Sequence, residues 1–175
     1  AQAISYGFRE QLVMSQGVAF SATVQDVLLK NIPGACNVYP ASRSNDKNGT
    51  DWWESGNHLS VDAKVRSVDW AVKGKDDLAL ETWSVVESRK VGWTRDSRKR
   101  TDYILWLWTD SGRWCLVPFP MLCAVFSEKW QDWKTSYKTR QQHTPEGNYH
   151  SECVFVPRKE LWAAIYRKYS GVVNI

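Results

Sequence analysis

Alternation between apolar and polar positions is clearest over residues 59–68. Val61, Ala63 and Val65 fall on one side of an extended strand, and Asp62, Lys64 and Arg66 fall on the other. A second strand-like run begins at Asp51, ahead of the turn signal Ser55-Gly56-Asn57. The two runs are expected to pair as a hairpin, which brings Asp51 toward Asp62 and Lys64. Upstream, Ile4, Phe8 and Leu12 recur at helical spacing and predict a helix over 4–16. Gly17 interrupts it, Ser21 offers an N-cap, and Val24, Val27 and Leu28 mark a second helix that Pro33-Gly34 stops. Residues 35–39 read as a short strand and 40–49 as a polar loop leading to Asp51.

Past the hairpin, 78–86 is a strong strand whose only acid is Glu81. A glutamate among apolar neighbours needs a partner, either an arginine or a metal site. Asp69 reads as a turn or rim acid. Residues 103–109 predict a central strand, with 113–117 its hairpin partner across Asp110-Ser111-Gly112. Pro118 and Pro120 bracket the exit into a helix over 121–133 that buries Leu122, Val125 and Phe126. Residues 134–150 read as a polar loop carrying His143 and His150 on the surface. A last strand over 152–156 precedes a closing helix with Pro157 at its first position and Leu161, Ala164, Ile165 and Tyr169 as its stripe. This mixture predicts an α/β fold, a mixed central β-sheet flanked by helices, in a single domain over 1–175.

Composition narrows the class. A chain of 175 residues, 43% hydrophobic and 24% charged, has the make-up of a soluble globular protein with a proper core. No secretory signal and no apolar run of transmembrane length stand out, so no membrane association is expected. The first residue is Ala rather than Met, so the start is expected to be processed or trimmed. Cys36, Cys115, Cys123 and Cys153 are far apart, which argues against a zinc site and for free thiols in a reducing, cytoplasmic setting. Eleven tryptophans are many for this length, enough to build core and to leave some exposed for stacking or partner contact.

Net charge is only +4, so the distribution of charge matters more than its sum. Residues 87–101 concentrate Arg89, Lys90, Arg95, Arg98, Lys99 and Arg100 around Trp93, with Gly92 giving the backbone freedom to bend. Such a segment either grips phosphates and stacks on a base, or is a solvated surface loop. A phosphate-cradling glycine loop, a nucleophile elbow and a paired Cys-His arrangement are all missing from the sequence.

Asp51, ten residues, then Asp62-Ala63-Lys64 resembles the signature of the PD-(D/E)XK (restriction-endonuclease-like) nuclease superfamily, with Thr50 where the pattern has proline. The order of elements (a helix, a strand, an Asp-led strand, an Asp-x-Lys strand) strengthens the resemblance. It implies a restriction-endonuclease-like core and a metal-dependent nuclease. Asp51 and Asp62 would hold Mg²⁺, with Mn²⁺ able to substitute, and Lys64 would assist the attacking water. Glu10 on the first helix would be a further ligand, and Glu81 a further catalytic acid. Arg66 and the 87–101 cations would contact nucleic acid, DNA being favoured over RNA. The biological setting is left open between phage, mobile-element and repair roles, and the oligomeric state too, with a dimer among the options. Two other readings stay open: a non-catalytic nucleic-acid-binding or inhibitory protein on the same fold, and a tryptophan-rich interaction protein.

Overall fold

The computed structural model describes residues 18–144 and 147–170. The expected helix over 4–16, and Glu10 on it, lie outside the described residues. The chain divides into two compact units, one of residues 1–69 and 98–119, the other of residues 70–97 and 120–175.

In the first unit, helix α1 (Val18–Asn31) is followed by β1 (Val38–Pro40), a short helix α2 (Arg43–Lys47), β2 (Trp52–Glu54) and β3 (Leu59–Arg66). Ser21 lies within α1 rather than capping it. The expected loop at 40–49 contains α2, which Ser42 caps by accepting the Asn45 amide. β1, β2 and β3 pair antiparallel. β6 (Tyr103–Trp108) then pairs parallel with β3, and β7 (Trp114–Pro118) pairs antiparallel with β6. The result is a mixed five-stranded sheet in the order β1-β2-β3-β6-β7. Its α1 face buries Val24, Val27 and Leu28 with Val61, Ala63, Val65, Leu105 and Leu107, as the alternation in 59–68 requires.

The opposite face departs from the pattern. Parallel register sets Asp62 beside Ile104, Lys64 beside Trp106 and Arg66 beside Trp108. All three of those β6 side chains are buried, and so is Asp62. β6 is a continuous apolar run because both of its faces are covered, so the polar side of β3 is not a solvated one.

The second unit carries its own sheet. β4 (Asp77–Val85), β5 (Lys90–Val91), β8 (Thr139–Thr144) and β9 (Tyr149–Pro157) pair antiparallel in the order β5-β4-β9-β8. α3 (Phe119–Ser136) opens at the unit boundary and buries Leu122, Val125 and Phe126, while α4 (Arg158–Tyr169) buries Leu161, Ala164 and Ile165. β8 replaces part of the loop expected over 134–150. It has no apolar face, with residues 140–143 all exposed, and exists through its backbone ladder to β9. Pro157 is the N-cap of α4, one residue earlier than expected.

Several polar side chains hold these elements. Asp69 is buried rather than at a rim, and Arg113 grips it through Nε and Nη2 at 2.6 and 2.8 Å. Arg95 lies over the indoles of Trp83 and Trp130, 4.6 and 4.0 Å from their centroids, and donates to Thr82 O. His150 donates its backbone N–H to Glu87, and its ring lies 2.6 Å from the same carboxylate. Those contacts, the side-chain one first, hold the exposed Glu87 carboxyl down to about 2.

Glu54 organises the β2–β3 turn. Its carboxylate, almost wholly buried, accepts the backbone N–H groups of Cys36, Gly56 and Asn57 and the Asn57 amide. Burial alone would raise its pKa, but these donors more than offset it and the value falls below the ordinary 4.5. A lowered carboxyl contributes stability above its unfolded pKa and loses it as pH falls. Glu54→Ala strands three backbone donors and is expected to destabilise the fold by about 2–4 kcal/mol in chemical denaturation at pH 7, the deficit shrinking below pH 4.5.

Candidate functional site

Asp51 sits just ahead of β2, where the ladder to β3 runs out. Its N–H donates to Val61 O at 2.9 Å, after which the chain turns away through Thr50 and Gly49. The next β3 donor, the Ala63 N–H, therefore has no strand opposite it. The Asp51 carboxylate takes that place, accepting the amide at 2.8 Å through Oδ2. This fixes the Asp51 side chain over the face that carries Asp62 and Lys64.

The Asp51 and Asp62 carboxyls lie close enough for the charge of one to act on the other. Lys64 lies on the same side, its Nζ 2.7 Å from Asp62 Oδ1. The hairpin thus brings the three residues to one place. Burial first, and the negative charge of Asp62 second, push the Asp51 carboxyl up to about 8; the Lys64 ammonium and the Ala63 amide act in the opposite sense by less.

Two crowded carboxyl groups with hard oxygen donors fit a hydrated divalent cation, because Mg²⁺ takes few carboxylates and keeps several waters. A cation would relieve the repulsion that keeps a proton on Asp51. Among the described residues, no group of three or more His, Cys, Asp or Glu is arranged to hold a metal. The donor set among the described residues is thus Asp51 and Asp62.

The remaining candidates divide between the units. Glu81, Arg89, Lys90, Trp93 and Arg95 belong to the second. There the Glu81 carboxylate accepts the Trp93 amide at 3.0 Å, its backbone carbonyl accepts the Thr94 hydroxyl, and Arg95 is committed to its two indoles. Gly92 does not serve as a bend: a Cβ there would lie 2.2 Å from Glu81 O, so glycine is needed for close approach. Arg89 and Lys90 are exposed at the β4–β5 turn.

Arg66, Arg98, Lys99 and Arg100 belong to the first unit, with Arg98 and Arg100 exposed and Arg66 and Lys99 half-buried. Sequence reading missed what holds this second group in place. Arg100 N–H donates to Asn48 O, and the Thr50 hydroxyl donates to Arg100 O. Asp102 accepts both the N–H and the hydroxyl of Ser60 at 2.8 Å. The one available signal was the run of small hydrogen-bonding residues on both sides, Asn48, Thr50, Ser60, Thr101 and Asp102.

A carboxyl whose folded pKa lies above its unfolded 3.8 binds more protons folded than unfolded between those values, so it lowers stability as pH rises through that window. Asp51→Asn is expected to raise the melting temperature of the metal-free protein at pH 8, with the difference closing toward pH 4. Saturating Mg²⁺ should narrow the gap at pH 8. A variant no more stable than the parent at pH 8 would show that the carboxyl pair carries no strain.

No helix among the described residues is long and apolar enough to cross a membrane. Comparison of the chain with protein-family models, with curated proteins and with solved structures finds no match.

Proposed function

We propose that this chain is a divalent-metal-dependent nuclease on a restriction-endonuclease-like core, hydrolysing phosphodiester bonds with DNA favoured over RNA. The observation that carries the reading is the meeting of Asp51, Asp62 and Lys64 at one point of the β2–β3 hairpin. The order α1, β1, the short α2, β2 just after Asp51, then the Asp-x-Lys strand β3 supports the reading apart from the added α2, and the parallel β6 completes a mixed sheet around it.

In this reading Asp51 and Asp62 hold Mg²⁺ or Mn²⁺. Bound there, such an ion would supply an acidified water and offset charge on the phosphoryl oxygens. The Ala63 amide orients Asp51, so the carboxylate is presented without a search through rotamers. Lys64, fixed at the carboxyl pair by Asp62, donates to the attacking oxygen and balances the negative charge that develops there. The buried Ile104 and Trp106 beside Asp62 and Lys64 lower the local dielectric, which strengthens each of these interactions.

One observation favours a second reading, a non-catalytic nucleic-acid binder. Lys64 neutralises Asp62, and the Ala63 amide donates to Asp51, so both carboxyls have protein partners with no metal.

A cleavage assay on plasmid, linear duplex, single-stranded DNA and RNA separates the two, run with Mg²⁺, with Mn²⁺ and with chelator. Metal-dependent cutting is expected, lowered about a hundredfold or more by Asp62→Asn and by Lys64→Ala, with substrate binding retained. Cutting that persists in Asp62→Asn overturns the site. Tight binding by a wild-type protein that cuts nothing establishes the second reading.

A further inference from the structure

The basic segment 98–100 is built onto the hairpin that carries the carboxyl pair. Its backbone is clasped on both sides, by Arg100 N–H to Asn48 O and by the Thr50 hydroxyl to Arg100 O, at 2.9 and 2.6 Å. Thr50 is buried and immediately precedes Asp51. One residue further on, the Thr101 hydroxyl donates to Ser60 O, and Asp102 closes on Ser60 from the other side. The segment is therefore not a free loop. It follows the same strand ends that set Asp51.

Lys99 immediately precedes the clasped Arg100. A Cβ added to Gly49 would stand 2.9 Å from Lys99 Cδ and 3.7 Å from its Nζ, so the lysine stem runs across the Gly49 backbone and leaves the ammonium beside it. Gly49 has φ +93°, a conformation that side chains rarely adopt, and its missing side chain is the space the lysine occupies. The ammonium is thus held two residues from Asp51, flanked by the exposed Arg98 and Arg100.

From this geometry we infer that residues 98–100 form a preset phosphate-binding lip, with Lys99 the contact that seats a backbone phosphate of duplex DNA next to the carboxyl pair. The inference rests on the nuclease reading and adds to it where the backbone is gripped and how. With Arg100 fixed by main-chain hydrogen bonds and Lys99 seated on Gly49, the cations of 98–100 read charge, not base edges, so the lip binds without sequence preference. The other cations of the basic run do not share this placement: Arg89 and Lys90 belong to the second unit, and Arg95 is taken up by Trp83 and Trp130.

The test is binding of a 30-base-pair DNA duplex of arbitrary sequence, in chelator so that nothing is cut, over a salt series. Lys99→Ala is expected to weaken binding several-fold at low salt and to reduce the slope of log affinity against log salt by about 0.9, the loss of one phosphate contact. Lys99→Arg should retain both values, and Lys75→Ala, a change to an exposed lysine of the second unit, should change neither. If Lys99→Ala fails to fold, Lys99→Gln carries the same expectation. A wild type that binds the duplex with affinity and slope matched by the Lys99 variants overturns the lip and leaves the nuclease reading intact. An equal loss in Lys75→Ala also overturns it. A wild type that neither binds duplex nor cuts in the metal assay overturns the lip and the reading together.

Discussion

The face of β3 that bears Asp62 and Lys64 is largely withdrawn from water: Asp62 is buried, Lys64 and Arg66 are half-buried, and Ile104, Trp106 and Trp108 beside them on β6 are buried. Every polar group there has to be satisfied by another, and the arrangement follows from that. Lys64 folds back onto Asp62, Asp51 comes within reach of the Asp62 charge from the hairpin, and the Ala63 amide finds a side-chain carboxylate where its strand partner has ended. Burying an acid pair beside a single ammonium keeps one acid protonated near neutral pH. The crowding that raises the Asp51 carboxyl is what a hard cation would relieve, so the local strain and the proposed chemistry have one origin.

Around this point the first unit is organised by short polar links rather than by apolar packing alone. Glu54 gathers three amides at the β2–β3 turn, while Thr50 and Ser60 tie the hairpin to Arg100 and Asp102. The last two links join residues 50 and 42 positions apart, and each link satisfies groups that would otherwise be stranded where strands stop pairing. Rigid placement of a site follows, since its side chains are carried by backbone that has few alternatives.

What the sequence disclosed and what it withheld divide along the range of the interaction. The β2–β3 hairpin, the α1 face of β3 and the meeting of Asp51, Asp62 and Lys64 were legible, because period-two alternation and a turn signal are local. The β6–β7 hairpin and the buried positions of α3 and α4 were legible for the same reason. Burial of the polar face of β3 was not, since it depends on a strand that returns from residue 103. Asp69 gave no hint of its bond to Arg113, 44 positions away. Arg95 reads as a solvated cation until Trp83 and Trp130 are seen on either side of it. β8 was read as loop because its exposed Arg140, Gln141, Gln142 and His143 carry no apolar period, and only the register with β9 makes it a strand.

The two units are threaded through each other in sequence: the chain leaves the first after residue 69, returns at 98, and departs again after 119. During synthesis from the N-terminus, β3 is complete long before β6 exists. The hairpin bearing the candidate carboxyls must then wait, with one edge unpaired, for the intervening residues to be made. Closing that interval carries an entropic cost that grows with its length, and pairings between distant segments slow folding. An unpaired edge with apolar alternation is also where a growing chain is most prone to join the wrong partner. Nascent chains stalled between residues 69 and 103 would accordingly hold an incomplete first sheet, and neither unit is a continuous stretch that a single cut could release.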